Sequence, residues 1–353
     1  MMNLKNLVVT ALAICSLASS ALAGPFTKKS ELGGFDGFVE RMSGGVRELG
    51  RGNTGSADTA SMPGAFWNPA LLGFRENLGF TLNIERRDLD RLGGAFGVEG
   101  KVGKRMGVGF AMLYRGDRDF SVIDDDDETV GTAKPFFSMF YLGFAYRATR
   151  QDAFGLSFSM SYDNLDIAEY MDDTYGIETE DAFRSPVTIN LSWFRQWNAK
   201  WSSSVVIRNL SFSKNLSAKW TKNPSKDNSL ASTEGVRPKV LQIGLGYRSK
   251  IMGKPVYAWM EALDYQVADT LLAFDPQLHV WTGRVGFECE IVPEKATLRL
   301  GMDDLNWMLG AGYKFEIRIG RKKFPLEVNY AFLYETSAGL WSPFTLGLRG
   351  YIP

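Results

Sequence analysis

Residues 307–319 read Trp307-Met308-Leu309-Gly310-Ala311-Gly312-Tyr313-Lys314-Phe315-Glu316-Ile317-Arg318-Ile319. Odd positions are apolar throughout, while even positions after Met308 are Gly, Gly, Lys, Glu and Arg. Successive side chains of a strand point to opposite faces, so this stretch is a strand with one apolar face and one face of glycine and charge. In a soluble β-sandwich the apolar face would be the core; in a membrane barrel it would meet lipid. The remaining chain decides between them.

The same period of two recurs outward in both directions. It runs through Leu78-Phe80-Leu82-Ile84, Met106-Val108-Phe110-Met112-Tyr114 and Phe140-Leu142-Phe144-Tyr146, and again through 154–162, 187–193, 241–247, 296–302, 326–334 and 344–352. Weaker copies lie at 92–100, 201–212, 255–265 and 279–290, which brings the expected count to fourteen strands. The connections fall into two classes that alternate. Residues 101–104, 148–151, 196–200, 250–254, 292–295 and 320–323 are brief, whereas 115–135, 164–185, 213–237 and 266–277 are mostly much longer, with shorter ones near 86, 304 and 336. Short turns at one end and long loops at the other are the signature of a transmembrane antiparallel β-barrel. An even strand number places both termini at the short-turn end, expected to be periplasmic. A closed sheet also leaves no unpaired edge in the bilayer.

Aromatic residues gather near strand ends of the apolar faces, as at Tyr114, Tyr146, Tyr162, Trp193, Trp201, Tyr247, Trp281, Trp307 and Tyr334. Amphipathic rings settle at headgroup level, so these are expected to form girdles against outer-membrane lipid and lipopolysaccharide. The opposite faces collect Glu85, Arg115, Arg147, Arg208, Arg248, Arg284, Glu288, Arg299, Glu316, Arg318, Glu327 and Arg349. A dry soluble core would bear that many charges only at great cost, whereas a lumen with water or polar plug groups can solvate and pair them. The mean hydropathy of -0.14 fits a chain in which one face of each strand meets lipid.

Residues 1–23, MMNLKNLVVTALAICSLASSALA, have a Lys, an apolar stretch from Leu7 to Leu17 and an Ala21-Leu22-Ala23 end. That is the pattern of a secretory signal peptide, with the mature chain expected from Gly24. The apolar stretch is shorter than the roughly 20 residues a spanning helix needs. From residue 24 onward only Cys289 and His279 remain of their types, so neither an intramolecular disulfide nor a His/Cys zinc site can be assembled. No nucleophile, base and orienting acid can be named together, and the reading is of a protein that is not an enzyme and implies no cofactor. With Lys+Arg 40 against Asp+Glu 40 there is no basic field for nucleic acid.

Before the first strand, the chain does not alternate. Residues 47–74 read RELGRGNTGSADTASMPGAFWNPALLGF: glycine and small residues, then Ser56-Ala57-Asp58-Thr59-Ala60, then the apolar group from Ala65 to Leu72. A glycine-rich stretch, a small and acidic patch, and Trp67-Asn68-Pro69-Ala70 ahead of a barrel resembles the N-terminal hatch of the FadL/TodX-like outer-membrane transporter superfamily. It is especially similar to the PorV-like branch of that superfamily. The resemblance implies residues 24–75 as a hatch or plug closing the periplasmic end of a barrel at 76–353. It implies transport of hydrophobic small molecules, long-chain fatty-acid-like, bound beside the hatch. In the PorV-like branch it implies instead a docking role with secreted proteins or other secretion-system proteins of type IX. The chain ends Arg349-Gly350-Tyr351-Ile352-Pro353, and departs there from the terminal aromatic usual in outer-membrane barrels.

Phe66, Trp67, Leu71 and Leu72 are the candidate ligand-binding residues, since apolar side chains in a charged lumen favour a hydrophobe. Packing of the hatch against the wall is the other reading of the same four. Pro69 fixes φ and lacks an N–H, and Asn68 can hydrogen-bond local backbone, so Asn68-Pro69-Ala70 is expected to form a rigid bend. The acidic run Asp124–Glu128 lacks the alternate spacing and turn glycine of a calcium loop, so it is read as a solvated loop tip and not as a metal site. Lys214, Lys219, Lys222 and Lys226 are read as a generic polar loop, and His279 as a strand-start residue near the outer rim.

Overall fold

The computed structural model describes residues 43–352 apart from 87–90, 117–119, 124–128, 135, 165–176, 179–181, 185–186, 211–220, 223–238, 268–277 and 337–339. Residues 1–23, expected as a signal peptide, residues 24–42, the acidic run 124–128 and Lys214, Lys219 and Lys226 lie outside the described residues.

Fourteen antiparallel strands close into one barrel. In chain order they are β1 Leu78–Arg86, β2 Leu92–Val102, β3 Met106–Gly116, β4 Phe136–Arg147, β5 Asp152–Asn164, β6 Thr188–Gln196 and β7 Trp201–Leu210. The second half comprises β8 Lys239–Ile251, β9 Lys254–Val267, β10 Leu278–Val292, β11 Ala296–Asp303, β12 Asn306–Ile319, β13 Lys322–Glu335 and β14 Leu340–Ile352. Each strand pairs with its sequence neighbour, and the ring closes where β1 meets β14, from Leu78↔Ile352 to Arg86↔Phe344. All fourteen stretches expected from the alternation are strands, and β4 begins four residues earlier than its apolar pattern, at Phe136.

The alternation sorts side chains in the sense opposite to a soluble protein. Along β1, Leu82 and Ile84 are exposed while Thr81, Asn83 and Glu85 are buried. Along β12, Leu309 and Tyr313 point outward and Met308, Gly310 and Gly312 inward. Exposed aliphatics with buried amides and carboxylates mean that the outer medium is hydrocarbon and the interior is polar. Tyr114, Tyr146, Trp201 and Trp281 are exposed on that outer face, as a girdle requires.

Six tight turns occupy one end, and left-handed backbone at Gly103, Met252, Gly253, Glu294 and Gly320 lets four of them reverse direction sharply. At the other end the long connections contain local pairings of their own. Phe120–Ile123 pairs with Thr129–Ala133, and Ile177–Glu178 pairs with Thr221–Lys222 across two different connections. Beside β6, a short strand Ala182–Arg184 continues the pairing along the far end of β5, through Tyr162↔Arg184.

Candidate functional site

Residues 43–75 form two single-turn helices, α1 Val46–Leu49 and α2 Gly64–Trp67, and a 3-10 helix Pro69–Phe74, joined by turns. Nearly every residue of this segment is buried, although it is too short to have a core of its own. Its core is the barrel wall. Val46 and Leu49 pack with Met308 of β12 and with Ala331 and Leu333 of β13. Ala70 and Leu71 pack with Ala153 of β5 and Phe194 of β6. The segment touches all fourteen strands when the side-chain contacts, hydrogen bonds and close approaches are taken together, so it lies inside the ring.

Glycine on the wall makes that fit possible. A Cβ on Gly301 or Gly286 would overlap the Arg51 backbone, and one on Gly107 would overlap the Leu72 carbonyl. These inward positions are glycine because another backbone passes over them. Gly310 of β12 faces Gly50 in the same way, glycine against glycine.

Charge supplies the second half of the fit. Arg47 donates Nε to Glu288 Oε2 at 3.0 Å, Nη2 to Glu288 Oε1 at 2.9 Å and Nη1 to Asp58 Oδ2 at 2.7 Å. Arg51 donates to the same Asp58 oxygen at 2.6 Å and to Ser61 Oγ at 2.7 Å, and its guanidinium lies 3.9 Å from the Trp259 ring centroid. From Glu288 the network continues along the wall to Arg299 at 2.7 Å, on to Glu327 at 2.8 Å and then to Arg349, which donates back to the Ala60 carbonyl at 2.9 Å. Burial acts to raise the Asp58 pKa, but the two guanidiniums outweigh it and hold the carboxyl well below the usual carboxylate range.

Two further wall carboxylates receive backbone of the segment. Glu261 Oε1 accepts from Gly55 N at 2.8 Å and from both N and Oγ of Ser56 at 2.7 Å. Glu99 Oε2 accepts from Gly64 N at 2.6 Å, and Glu99 pairs with Arg75, whose guanidinium also donates to the Thr59 and Ser61 carbonyls. Thus the first N–H of α2 and two turn N–H groups are met by carboxylates on strands, while Val46 N at the start of α1 donates to the Asn83 amide oxygen.

The candidate ligand residues sit in two different apolar clusters. Phe66, Trp67 and Leu72 pack on the inner faces of β2, β3 and β4, against Ala95, Ala111, Leu113, Phe137, Met139, Tyr141 and Ala145. Phe66 meets Trp67 and Tyr141 edge to face, with centroids 4.9 and 5.4 Å away. Leu71 belongs instead to the cluster on β5 and β6. All four are 0–2 % exposed, and the buried indole Nε1 of Trp67 has no hydrogen-bond partner. At Asn68-Pro69-Ala70, Asn68 is extended at φ -165°, its Oδ1 accepts from Ala70 N at 2.9 Å, and Pro69 opens the 3-10 helix. Asn68 Nδ2 donates to the Ser56 carbonyl at 2.8 Å, which ties this stretch to the small-residue patch.

Among the described residues no group of three or more His, Cys, Asp and Glu is arranged to hold a metal ion. His279 is the second residue of β10, and Cys289 is a free, partly buried thiol on the same strand. A cleft of about 670 Å³ opens at the short-turn end, lined by Lys295, Lys314, Glu316, Glu327, Arg349 and Tyr351 among others. Pro293, Phe315, Pro325 and Leu326 line it as well, so its surface is mixed. Sequence reading named Glu288, Arg299, Glu327 and Arg349 among the inward charges, but missed Glu99 and Glu261 on the wall and the pairing of Arg47, Arg51, Arg75 and Asp58 in the segment. Arg248, Glu316 and Arg318, expected on the inward face, are exposed. Three arginines in a short stretch ahead of a barrel with inward carboxylates were the available signal.

No protein-family model and no curated protein matches the chain. Solved structures do. The toluene transporter TbuX of Ralstonia pickettii matches with a TM-score of 0.54 at 12% identity, over 87% of this chain and 97% of that one. The toluene transporter TodX of Pseudomonas putida matches with a TM-score of 0.51 at 12% identity, over 88% and 97%. The monoaromatic hydrocarbon channel CymD matches with a TM-score of 0.50 at 12% identity, over 87% and 96%. At such identity the likeness is one of fold: this chain shares its barrel architecture with these three proteins.

Proposed function

We propose that the chain is an outer-membrane channel that binds or moves hydrophobic small molecules, long-chain fatty-acid-like in character. In this reading residues 24–75 are the hatch, and both termini face the periplasm. The observation that carries it is the largest of several apolar clusters inside the lumen, where Phe66, Trp67 and Leu72 lie on Leu113, Met139 and Tyr141. Inside a ring of amides and charges, such a cluster is where an apolar solute loses least on leaving water. The shared fold with proteins described as toluene transporters supports the class of cargo.

A docking role of the PorV-like kind, toward secreted or secretion-system proteins, is favoured by one observation. The four candidate residues are already fully packed, so the segment serves as a stopper before it serves as a pocket. Uptake of a labelled long-chain fatty acid and release of surface proteins, both measured in cells with and without the gene, separate the two. Lost uptake with normal secretion supports transport. Normal uptake with lost secretion rejects it in favour of docking.

A further inference from the structure

The chain is neutral overall, with 40 basic and 40 acidic residues, but its charge is not spread evenly. The six short turns with their adjoining strand ends, residues 101–105, 148–151, 197–200, 248–254, 292–295 and 316–323, hold thirteen exposed Lys and Arg side chains and two exposed carboxylates, Glu294 and Glu316. Only Lys323 of the thirteen is in a salt bridge among the described residues, at 3.3 Å from Glu316 on the open surface. At the opposite end the connections 115–135 and 164–185 carry seven carboxylates each. The third long connection, 213–237, carries five basic residues against two acidic ones, so the acidic excess belongs to 115–135 and 164–185, while the short-turn end has an exposed base at each turn.

A second feature accompanies the basic one. In or beside every short turn stands an exposed apolar residue: Val102, Tyr146, Trp201, Met252, Val292 and Ile319, with Met252 and Ile319 both 65% exposed. Each lies within a few residues of an exposed base, respectively Lys104, Arg150, Lys200, Lys254, Lys295 and Arg321. An apolar group with a cation just beyond it is the arrangement that straddles a hydrocarbon boundary, the first in the acyl region and the second at headgroup depth. The pairs recur at every turn from β2–β3 to β12–β13, and so follow most of the circumference. A protein partner would engage one sector of such a rim, whereas a leaflet surrounds it.

We propose that this rim is a binding ring for the phosphate headgroups of anionic glycerophospholipids, in the leaflet that surrounds the short-turn end. The ring holds the barrel at a fixed depth through many weak contacts, because each Lys or Arg near an anionic surface contributes modestly and additively. Placing that leaflet on the periplasmic side rests on the orientation proposed above.

The test uses the purified full-length protein in detergent, offered equal amounts of phosphatidylglycerol and phosphatidylcholine with matched acyl chains. Bound lipid is counted by native mass spectrometry. The wild-type protein should retain phosphatidylglycerol by about tenfold over phosphatidylcholine, and the preference should collapse at about 1 M salt, where the Debye length is about 3 Å. A variant combining Lys101→Gln, Lys104→Gln, Lys250→Gln, Lys254→Gln, Lys322→Gln and Lys323→Gln should fall near parity while keeping a folded barrel's heat-modifiable gel mobility. Parity in the wild type, or an undiminished preference in the folded variant, overturns the proposal. So does displacement of the lipid by soluble polyglutamate, which would indicate an acidic protein partner. Cleavage of the short turns by protease added to intact cells, with the lipid preference intact, would refute the orientation alone and leave the ring standing.

Discussion

Arg47 and Glu288 stand 241 residues apart in the chain and meet through two parallel hydrogen bonds, of 3.0 and 2.9 Å, inside the barrel. The pair joins the N-terminal segment to β10, and because Glu288 also accepts from Arg299 it is the point where segment and wall share one network. A bidentate pair of this kind fixes orientation as well as distance.

Removing one member of a buried pair leaves the other charge unmet, at a cost of about 3–5 kcal/mol. Glu288→Gln should lower the unfolding midpoint of the detergent-solubilised barrel accordingly, as should Arg47→Met. The double variant should lose less than the two single losses added together, since both delete the same interaction. Strict additivity in that double-mutant cycle would mean that the two residues are not coupled.

Asp58 gives the segment an acid dependence. Its folded pKa is depressed, whereas the unfolded carboxyl titrates near about 3.9. A depressed folded value contributes stability that is complete above the unfolded pKa and is lost as pH falls below it toward the folded one. Thermal stability should therefore decline from about pH 4 downward, and Asp58→Asn should flatten that decline while lowering stability at neutral pH. An unchanged acid limb in Asp58→Asn would contradict the assignment.

Gly301 tests the close approach. Its Cβ would fall on the Arg51 backbone, so Gly301→Val should expel the segment from that part of the wall while leaving the strand ladder intact. The expected result is a barrel that keeps heat-modifiable mobility but becomes cleavable by trypsin after Arg51, a residue that is fully buried in the wild type. A segment as resistant as the wild type would show that the wall yields instead.

Trp67 separates packing from ligand binding. Truncating a buried Trp costs about 3–5 kcal/mol, so Trp67→Ala should destabilise the segment. If the ring is also part of a pocket, affinity for a hydrophobic ligand should fall by about 1–3 kcal/mol in assembled protein. Trp67→Phe should restore most of the stability. Unchanged affinity in assembled Trp67→Ala protein would assign the ring to packing alone.

The orientation follows from loop length. An epitope inserted in residues 124–128 should be labelled on intact cells, and one beside Arg150 only after the outer membrane is permeabilised. The reverse pattern would invert the barrel.

The alternation at 307–319, its thirteen further copies and the six short turns between them were enough to read a closed fourteen-stranded barrel. A period of two is a local property, and an apolar face paired with a charged one needs no distant information to be recognised. The local geometry at Asn68-Pro69 is set in the same way, since Asx capping and the fixed φ of proline act over two residues. The partners of the inward charges were not legible. Glu288 was assigned to the lumen from its parity and Glu261 and Glu99 were not, and only closure of β1 on β14 brings residues 43–75 within hydrogen-bonding reach of all three. Equally, Phe66, Trp67, Leu71 and Leu72 are four apolar letters in one stretch, and the tertiary structure places Phe66, Trp67 and Leu72 in one cluster and Leu71 in another. Local geometry is set by neighbours in the chain and can be read along it. Burial and charge pairing depend on which surfaces the closed ring presses together, and those are chosen in space.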